Sequence, residues 1–223
     1  MIVPTLDEER TIAPCLRQFQ GKEPYEIIVV DGGSTDRTVE VARQFSFVRV
    51  IQNQHRGRAI QMNTGAAAAT GDVFIFLHAD TFLPAQWQEV VIASIDRDGA
   101  VGGRFRLQLS EPGLAYRCIA WGTNVRSRVL GITYGDQVIY TRRDVFKRVG
   151  GFPLLPLFED SEFCRRLGRE GRLAWIDEPV ITSVRRWKNR GVMRTVLLMW
   201  VLRGLYTLSV PPEKLIRYYS VVR

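Results

Sequence analysis

The sequence predicts an α/β fold built around a mainly parallel sheet. Up to residue 95, short apolar runs alternate with helical segments, a rhythm typical of βαβ units. The apolar runs are continuous, which suits strands that are covered by helices on both faces. The chain has 223 residues, of which 46% are hydrophobic, and this is enough to bury a sizeable core.

The elements of this first part follow one another in regular order. Only two or three residues of strand precede Pro4, which is short for a first strand. Ser34 or Thr35 is predicted to cap the helix that follows the second strand. Pro84 is placed in the first turn of the helix predicted at 84–95. Further strands are predicted at 25–31, 47–52 and 72–78, and helices at 34–45, 57–70 and 84–95.

Beyond residue 99 the alternation is less regular. Strands are expected at 100–110, 136–143, 172–177 and 180–186, and helices at 113–131, 144–152, 159–171 and 192–210. No linker composition separates this half from the first. We therefore predict one main domain over residues 1–190, with residues 191–223 as a helical extension that packs on it or on a membrane surface.

The net charge and the cysteine content limit the classes of binding partner and the cellular location that are expected. A net charge of +8 suits nucleic acid, an anionic membrane or a phosphate-bearing small molecule. The arginines are scattered without a run of like charge, so nucleic acid is not expected as a partner. Cys15, Cys118 and Cys164 lie far apart, as in reduced cytosolic proteins, and no signal-peptide pattern follows Met1. These features predict a cytoplasmic location.

Two carboxylates follow predicted strands. Asp31 ends the strand before "GGSTD", and Asp80 belongs to "HADT" after the strand 72–78. Ligands of open α/β sheets bind beyond the carboxyl ends of strands, so both side chains are expected at one edge. The G-x-G-x-x-G pattern of dinucleotide-binding enzymes is missing from the first βα turn, which argues against that class.

The same segments contain residues suited to metal binding and proton transfer. Asp80 with a neighbouring ligand can hold Mg²⁺ or Mn²⁺, and diphosphate oxygens can fill the other positions. His78 closes an apolar strand, where histidine is more often a structural hydrogen-bonding group. In "FEDSEF", Glu159 or Asp160 could take a proton from a hydroxyl, although acidic residues are also common at helix starts.

The order of the motifs is more informative than any one of them. "VPTLDEE", "VVDGGSTDRT", "HADT", "GGFP" and "ED" together resemble the family 2 inverting glycosyltransferases of GT-A fold, over about residues 1–185. "HRGRAIQMNTGA", "YGDQVIYTRRDVFKRVGGFP" and "EDSEFCRRL" are similar to a bacterial subgroup, the rSAM/selenodomain-associated transferases. The resemblance implies a mixed, mainly parallel sheet flanked by helices. It also implies transfer of a sugar from a UDP- or GDP-sugar to an acceptor hydroxyl, with inversion.

The resemblance assigns roles to individual residues. It implies that Asp160, beside Glu159, is the general base, and that Asp80 binds Mg²⁺ or Mn²⁺ on the donor diphosphate. Asp31 would hold the base of the nucleotide. Independently of the resemblance, Arg56 and Arg58 stand before a predicted helix, whose N-terminus together with these arginines is expected to attract phosphate. The residues expected to bind the nucleotide-sugar are Pro4, Thr5, Leu6, Glu8, Asp31, Gly33, Arg58, Asn63, Ala79, Asp80, Asp136, Gln137, Arg186 and Trp187.

Two departures from the family pattern leave alternatives open. His78 replaces the first acid of the DxD motif, which keeps a catalytically inactive sugar-nucleotide-binding protein as an alternative. Ser183 stands where processive members have the glutamine of Q-x-x-R-W, which argues against processivity. A sugar-phosphate nucleotidyltransferase is the other alternative, but "VPTLDEERT" lacks the glycine-rich basic loop expected there.

The segment 192–210 is the most apolar of the chain. Its 19 residues approach the roughly 20 that span a bilayer, but Arg203 near the centre would cost about 2.5–3.5 kcal/mol. A transmembrane helix is therefore not expected. Packing against the catalytic core is favoured, and the alternative is peripheral docking on the inner membrane face, helped by Arg217 and Arg223. A small molecule or a lipid is the expected acceptor.

Overall fold

The computed structural model describes residues 1–21, 25–53 and 55–220, so Arg223 lies outside the described residues. Within these ranges the strands are β1 Ile2–Thr5, β2 Ile27–Asp31, β3 Val48–Gln52, β4 Val73–Phe76, β5 Thr81–Phe82, β6 Gly102–Leu109, β7 Ile139–Arg142 and β8 Leu173–Thr182. The helices are α1 Ile12–Arg17, α2 Thr38–Arg43, α3 Arg58–Ala68, α4 Trp87–Asp96, α5 Leu114–Leu130, α6 Arg143–Arg148, α7 Glu159–Glu170, α8 Arg185–Arg190, α9 Val192–Thr207 and α10 Pro212–Ser220. A short 3₁₀ turn, Gly135–Gln137, precedes β7.

The described strands form a single mixed sheet in the order β3-β2-β1-β4-β7-β6-β8-β5. The first half is parallel: β1 pairs with β2 and β4, and β2 pairs with β3. β7 then runs antiparallel between β4 and β6, β8 is parallel to β6, and β5 is antiparallel to β8. Because β1, β2 and β4 are parallel neighbours, their carboxyl ends meet at one edge of the sheet.

Helices cover both faces of the sheet, as the continuous apolar runs predict. On β1 and β2, Val3 and Val29 belong to one core cluster, and Ile2 and Ile28 belong to the other. Gly65 of α3 allows the close approach of helix and sheet, since a Cβ there would lie 2.5 Å from Cγ2 of Ile2. The fold therefore consists of a sheet between two apolar layers.

Several predicted element bounds were wrong, and three of them are instructive. α2 begins at Thr38, because Ser34 and Thr35 instead bond to Asp31 and Asp7 in the loop before it. α4 begins at Trp87, three residues after Pro84. The two strands predicted between residues 172 and 186 are the single strand β8, whose pairing with β6 changes register at residues 105–106.

The C-terminal helices pack on the start of α7. Leu202 of α9 and Leu215 and Tyr219 of α10 form a buried cluster with Leu157 and Phe158. Among the residues that the structure describes, no helix is both long and apolar enough to cross a membrane. Arg203 of α9 contacts this cluster through Phe158. The domain boundary at residue 190 stays a prediction.

Candidate active site

A solvent-open cleft brings together carboxylates from three distant segments. Asp80 comes from the loop after β4, Asp136 from the 3₁₀ turn before β7, and Asp160 from the first turn of α7. Asp80 and Asp160 are 80 positions apart in the sequence, yet both line this cavity. The topology explains this, because β7 is inserted next to β4 and the segment that follows it leads to α7.

One wall of the cleft is the loop that follows β4. The main chain of Asp80 is fixed by the Ser183 N–H, which donates to its carbonyl at 3.2 Å, and Thr81 Oγ1 lies 3.4 Å from its Oδ1. His78 also lines the cleft, and its ring packs closely on Gly135. His78 and Asp80 thus reach the cavity from the same loop.

Asp160 lies on another wall and is buried, with 6% of its surface exposed. The Gly135 N–H donates to Oδ2 at 2.6 Å and the Ser161 N–H donates to Oδ1 at 2.7 Å. Burial raises the pKa of Asp160, while the nearby guanidinium of Arg58 and these two N–H groups act in the opposite direction. The result is a fixed carboxylate whose proton affinity is higher than that of an exposed aspartate.

Arg58, a predicted site residue, lines the same cleft. Its Nη1 lies 3.3 Å from Oε1 of the buried Glu159. Burial opposes the charge of the guanidinium, but Glu159, Tyr219 and Asp160 outweigh it and raise the pKa of Arg58. Because Glu159 is paired with this cation, Asp160 is the better candidate for accepting a proton.

The start of α7 is held by aromatic and cationic contacts from the C-terminal part of the chain. Phe158 precedes α7 with a φ of +67°, a left-handed conformation that is unfavourable for a bulky residue. Its ring packs on Tyr134 and Tyr206, at centroid distances of 6.3 and 4.8 Å. Arg203 lies over Phe158 and Tyr206, each at 5.5 Å, and donates to Ser161 Oγ at 3.0 Å.

Sequence reasoning missed these positioning residues. Tyr134, Phe158 and Tyr219 line the cleft, and Arg203 supports it from α9. An available signal was the arginine itself, because a guanidinium inside an apolar helix needs partners wherever it is buried. Its partner could not be read from the sequence, since Ser161 is 42 residues away.

The predicted nucleoside-binding residues gather at the carboxyl ends of β1 and β2. Thr5 is in register with Asp31, whose Oδ2 accepts the N–H groups of Gly33 and Ser34 at 2.9 Å each. Gly33 has a φ of +89°, so glycine suits this turn. Glu8 is paired with Arg185 at 2.8 Å. The other predicted residues of this group are Pro4, within β1, and Leu6, directly after it.

Other predicted binding residues point away from the cleft. Asn63 exchanges two hydrogen bonds of 2.9 Å with the backbone of Phe152, so its amide ties α3 to the Gly-Gly-Phe-Pro loop. Gln137 and Ala79 are buried in the protein interior, with Gln137 Nε2 3.4 Å from the Phe105 carbonyl. None of these three side chains is among the residues that line the cleft, and their contact with a ligand stays a prediction.

The last two predicted residues belong to α8. Trp187 lines the cleft and also packs on the main core cluster. The side chain of Arg186 lies outside the part of the chain that is described. The Ser183 that replaces the glutamine of the processive motif lines the cleft as well.

The donor groups in the cleft fit a metal that binds together with its substrate. Among the described residues, no group of three or more His, Cys, Asp and Glu side chains could hold a metal by itself. Asp80 supplies one carboxylate, and His78 lies on the same loop. Mg²⁺ commonly takes one or two protein carboxylates and completes its shell with substrate phosphates and water.

Comparison with known proteins agrees with this architecture. The chain matches the family described as Glycosyl transferase family 2 over residues 1–150. It is 31% identical over 167 residues to Glycosyltransferase AglE of Haloferax volcanii, covering 69% of this chain and 55% of that protein. The chain thus spans about half of that relative's length. It is also 27% identical over 241 residues to the undecaprenyl-phosphate 4-deoxy-4-formamido-L-arabinose transferase of Edwardsiella ictaluri, covering all of this chain and 71% of that protein.

A solved structure shows the same fold. The mannosyltransferase PcManGT of Pyrobaculum calidifontis, in complex with GDP-Man and Mn²⁺, has a TM-score of 0.68 at 22% identity. The match covers 91% of this chain and 59% of that one. It confirms the predicted GT-A fold, whereas the rSAM/selenodomain subgroup stays a prediction. With its family match over residues 1–150, the chain belongs to glycosyl transferase family 2.

Proposed function

We propose that this protein transfers a sugar from a nucleotide-diphosphate sugar, a UDP- or GDP-sugar, to an acceptor hydroxyl with inversion. The observation that carries the proposal is that Asp80 and Asp160 line one cleft from different elements of the fold. The GDP-Man in the PcManGT complex supports a nucleotide-sugar donor. The separate walls suit a reaction with a leaving group on one side and a proton acceptor on the other.

Asp160 is assigned the role of general base. It would take the proton of the acceptor hydroxyl while the hydroxyl oxygen forms a bond to the anomeric carbon. The bond from that carbon to the diphosphate oxygen breaks on the opposite face, so the configuration inverts. The N–H groups of Gly135 and Ser161 fix the carboxylate, and burial keeps its proton affinity above that of an exposed aspartate.

The leaving diphosphate is assigned to the Asp80 side of the cleft. Asp80, with His78 beside it, would hold Mg²⁺ or Mn²⁺, and the ion supplies positive charge for the oxygen of the leaving group. Arg58 adds a fixed guanidinium to the same cavity. The nucleoside is assigned to the neighbouring ends of β1 and β2, around Thr5 and Asp31.

The acceptor is assigned to the classes of small molecules and lipids. The name of the Edwardsiella relative includes undecaprenyl phosphate, a lipid, which supports the lipid class. A cytoplasmic protein that contacts the inner membrane face peripherally would have access to such an acceptor. Exposed apolar side chains on α9, among them Trp200 at 74% exposure, support membrane contact.

Nucleotide binding tests the first step. A thermal shift assay with UDP and GDP, each with and without Mn²⁺, should raise the melting temperature for at least one nucleotide and more so with the metal. Asp80→Ala should remove the metal-dependent part of this shift. Asp72→Ala is a matched control, because Asp72 is an exposed aspartate at the opposite end of β4. If neither UDP nor GDP raises the melting temperature, the proposal is contradicted.

A second candidate is a catalytically inactive sugar-nucleotide-binding protein. The observation in its favour is that His78, instead of an acid, shares the metal loop with Asp80. Release of nucleoside diphosphate from a panel of UDP- and GDP-sugars, with lipid and small-molecule acceptors, separates the two candidates. An enzyme releases UDP or GDP with an acceptor present, whereas a binding protein shows the thermal shift without release.

A further inference from the structure

Helix α5 carries an apolar stripe on its outer face. Leu114, Cys118, Trp121, Val125 and Val129 follow one another at helical spacing, and at 100° per residue they fall within an arc of about 80°. All five are exposed, with 75% of Leu114 and 70% of Trp121 accessible. We refer to these residues as the α5 stripe. The buried face of α5 packs on the sheet through other residues, including Tyr116 and Ile119.

Helix α9 carries a second apolar stripe, whose spacing is less regular. Its members are exposed, fall within an arc of about 100° and are referred to as the α9 stripe: Met193, Leu197, Trp200 and Val201, with Leu208 directly after the helix. In each stripe a tryptophan stands seven residues after the first apolar residue. Exposed tryptophan and leucine that share one side of a helix form an apolar patch, in contrast to scattered surface residues.

The two helices that carry the stripes flank the same cleft. Arg126 of α5 lies over the ring of Tyr134 at 4.1 Å, and Tyr206 of α9 packs on Phe158 at 4.8 Å. Tyr134 and Phe158 are stacked on each other and line the cleft. The other end of α5 is joined to α8 by the ion pair of Glu111 and Lys188. A partner that contacts both stripes would therefore lie beside the opening of the active site.

The side chains around the stripes are positively charged, which indicates the kind of partner that would bind there. Neither α5 nor α9 contains an aspartate or glutamate. Exposed arginines border the stripes, Arg117 and Arg128 on α5 and Arg194 on α9, and α10 exposes Lys214 and Arg217. A second copy of the chain would bring the same positive charges against each other, which opposes self-association. An anionic lipid surface offers both the complementary charge and an apolar interior.

We infer that the α5 and α9 stripes together form a docking surface for an anionic lipid bilayer. The tryptophans would lie at the level of the headgroups, where this side chain is favoured, and the arginines would contact lipid phosphates. This inference deepens the proposed function, because docking would hold the cleft next to a lipid acceptor. The surface itself is defined by α5 and α9 and does not depend on the catalytic residues.

Vesicle flotation tests the surface directly. The full chain should float with vesicles in which about one third of the lipid is phosphatidylglycerol and much less with pure phosphatidylcholine. Trp121→Ser combined with Trp200→Ser should reduce the bound fraction by at least about tenfold. Ile92→Ser is the matched control, since Ile92 is an exposed apolar residue of α4 outside both stripes. Circular dichroism confirms that each variant is folded.

Labelling of Cys118 gives an independent measurement within the α5 stripe. Cys118 is exposed, whereas Cys15 and Cys164 are buried and burial raises the pKa of each to about 12. A polarity-sensitive fluorophore should therefore attach to Cys118 and shift to shorter wavelength when anionic vesicles are added. Absence of flotation and of a spectral shift would overturn the inference.

Two further results keep the alternatives distinct. A dimer seen by light scattering without lipid, and lost in the double tryptophan variant, would assign the stripes to self-association and overturn the lipid proposal. The nucleotide-dependent thermal shift should be unchanged in that variant. A chain that binds vesicles without binding UDP or GDP would contradict the proposed function alone, and the opposite result would contradict the docking surface alone.

Discussion

The backbone N–H of Gly135 donates a 2.6 Å hydrogen bond to Oδ2 of Asp160. The same glycine packs against the ring of His78, which leaves no space for a side chain. Gly135 thus connects the loop assigned to the metal with the carboxylate assigned to proton transfer. The 3₁₀ turn that contains it fixes the relative position of two walls of the cleft.

Substitution of this glycine should disturb both walls. In Gly135→Ala the new Cβ would lie 2.5 Å from Nε2 of His78 and 3.5 Å from Oδ2 of Asp160. We expect a loss of about 1–3 kcal/mol in the free energy of unfolding, together with weaker metal-dependent nucleotide binding. Urea denaturation and thermal shift measure the two effects. Gly122 lies in the middle of α5, where a Cβ would meet no described atom beyond the adjacent residues and the backbone of its own helix within 4 Å. Gly122→Ala should therefore stabilise the protein by about 0.5–1 kcal/mol.

Replacement of the proposed base should separate binding from chemistry. Asp160→Asn preserves the shape of the side chain but cannot take a proton, so turnover should fall by about 10²–10⁴ with little change in donor affinity. Steady-state kinetics and nucleotide titration measure the two quantities. Glu162→Gln is the control, because Glu162 is in the same helical turn and pairs with Arg165 at the surface. If the Asp160→Asn enzyme remains active, another group is the base, and Glu159 is the first candidate.

The acid limb of the pH–rate profile should report Asp160. A base must be ionised to act, so kcat/KM should fall as pH decreases through the pKa of Asp160, which burial raises above the usual value of about 3.9. Arg58 opposes this increase. Arg58→Gln should therefore move the limb to higher pH, whereas Arg56→Gln, at an exposed arginine of the preceding loop, should leave it in place. A limb that moves to lower pH in Arg58→Gln would contradict the assignment.

Arg203 should affect turnover through the position of α7. Arg203→Met removes the hydrogen bond to Ser161 and the cation–π contacts with Phe158 and Tyr206. We expect kcat to fall by roughly ten- to a hundredfold with the donor KM nearly unchanged, since small displacements of a catalytic group are costly. Arg203→Lys should recover part of the loss, because lysine keeps the charge but lacks the planar group. Arg194→Met, on the exposed side of α9, should leave transfer to a soluble acceptor unchanged.

Much of the fold could be predicted from local patterns. The continuous apolar runs gave strands near Ile27–Asp31 and Val48–Gln52, and the helical spacing gave α5 and α7 nearly to the residue. The start of α2 was missed because Ser34 and Thr35 bond across to Asp7 and Asp31, a contact that depends on the neighbouring strand. Capping residues and loop residues have the same composition, so only the folded loop distinguishes them.

The candidate site was predictable only in part, for a related reason. Asp31 ends β2, Asp80 lies in the short loop after β4 and Asp160 is in the first turn of α7, and such positions indicate where a side chain will be in the fold. Asn63 and Gln137 also lie in the matching motifs, but their amides are directed to Phe152 and into the core. The direction of a side chain depends on backbone angles and packing partners, which a motif does not specify.

The sequence by itself determined the α/β class and the motifs that place the chain in its family, because periodicity and turn composition are local properties. The tertiary structure alone decided that His78, Gly135 and Asp160 meet, and that α9 supports the start of α7 through Arg203. Each of those contacts joins residues that are at least 25 positions apart in the sequence. Such encounters depend on strand order and helix packing, which no local pattern encodes.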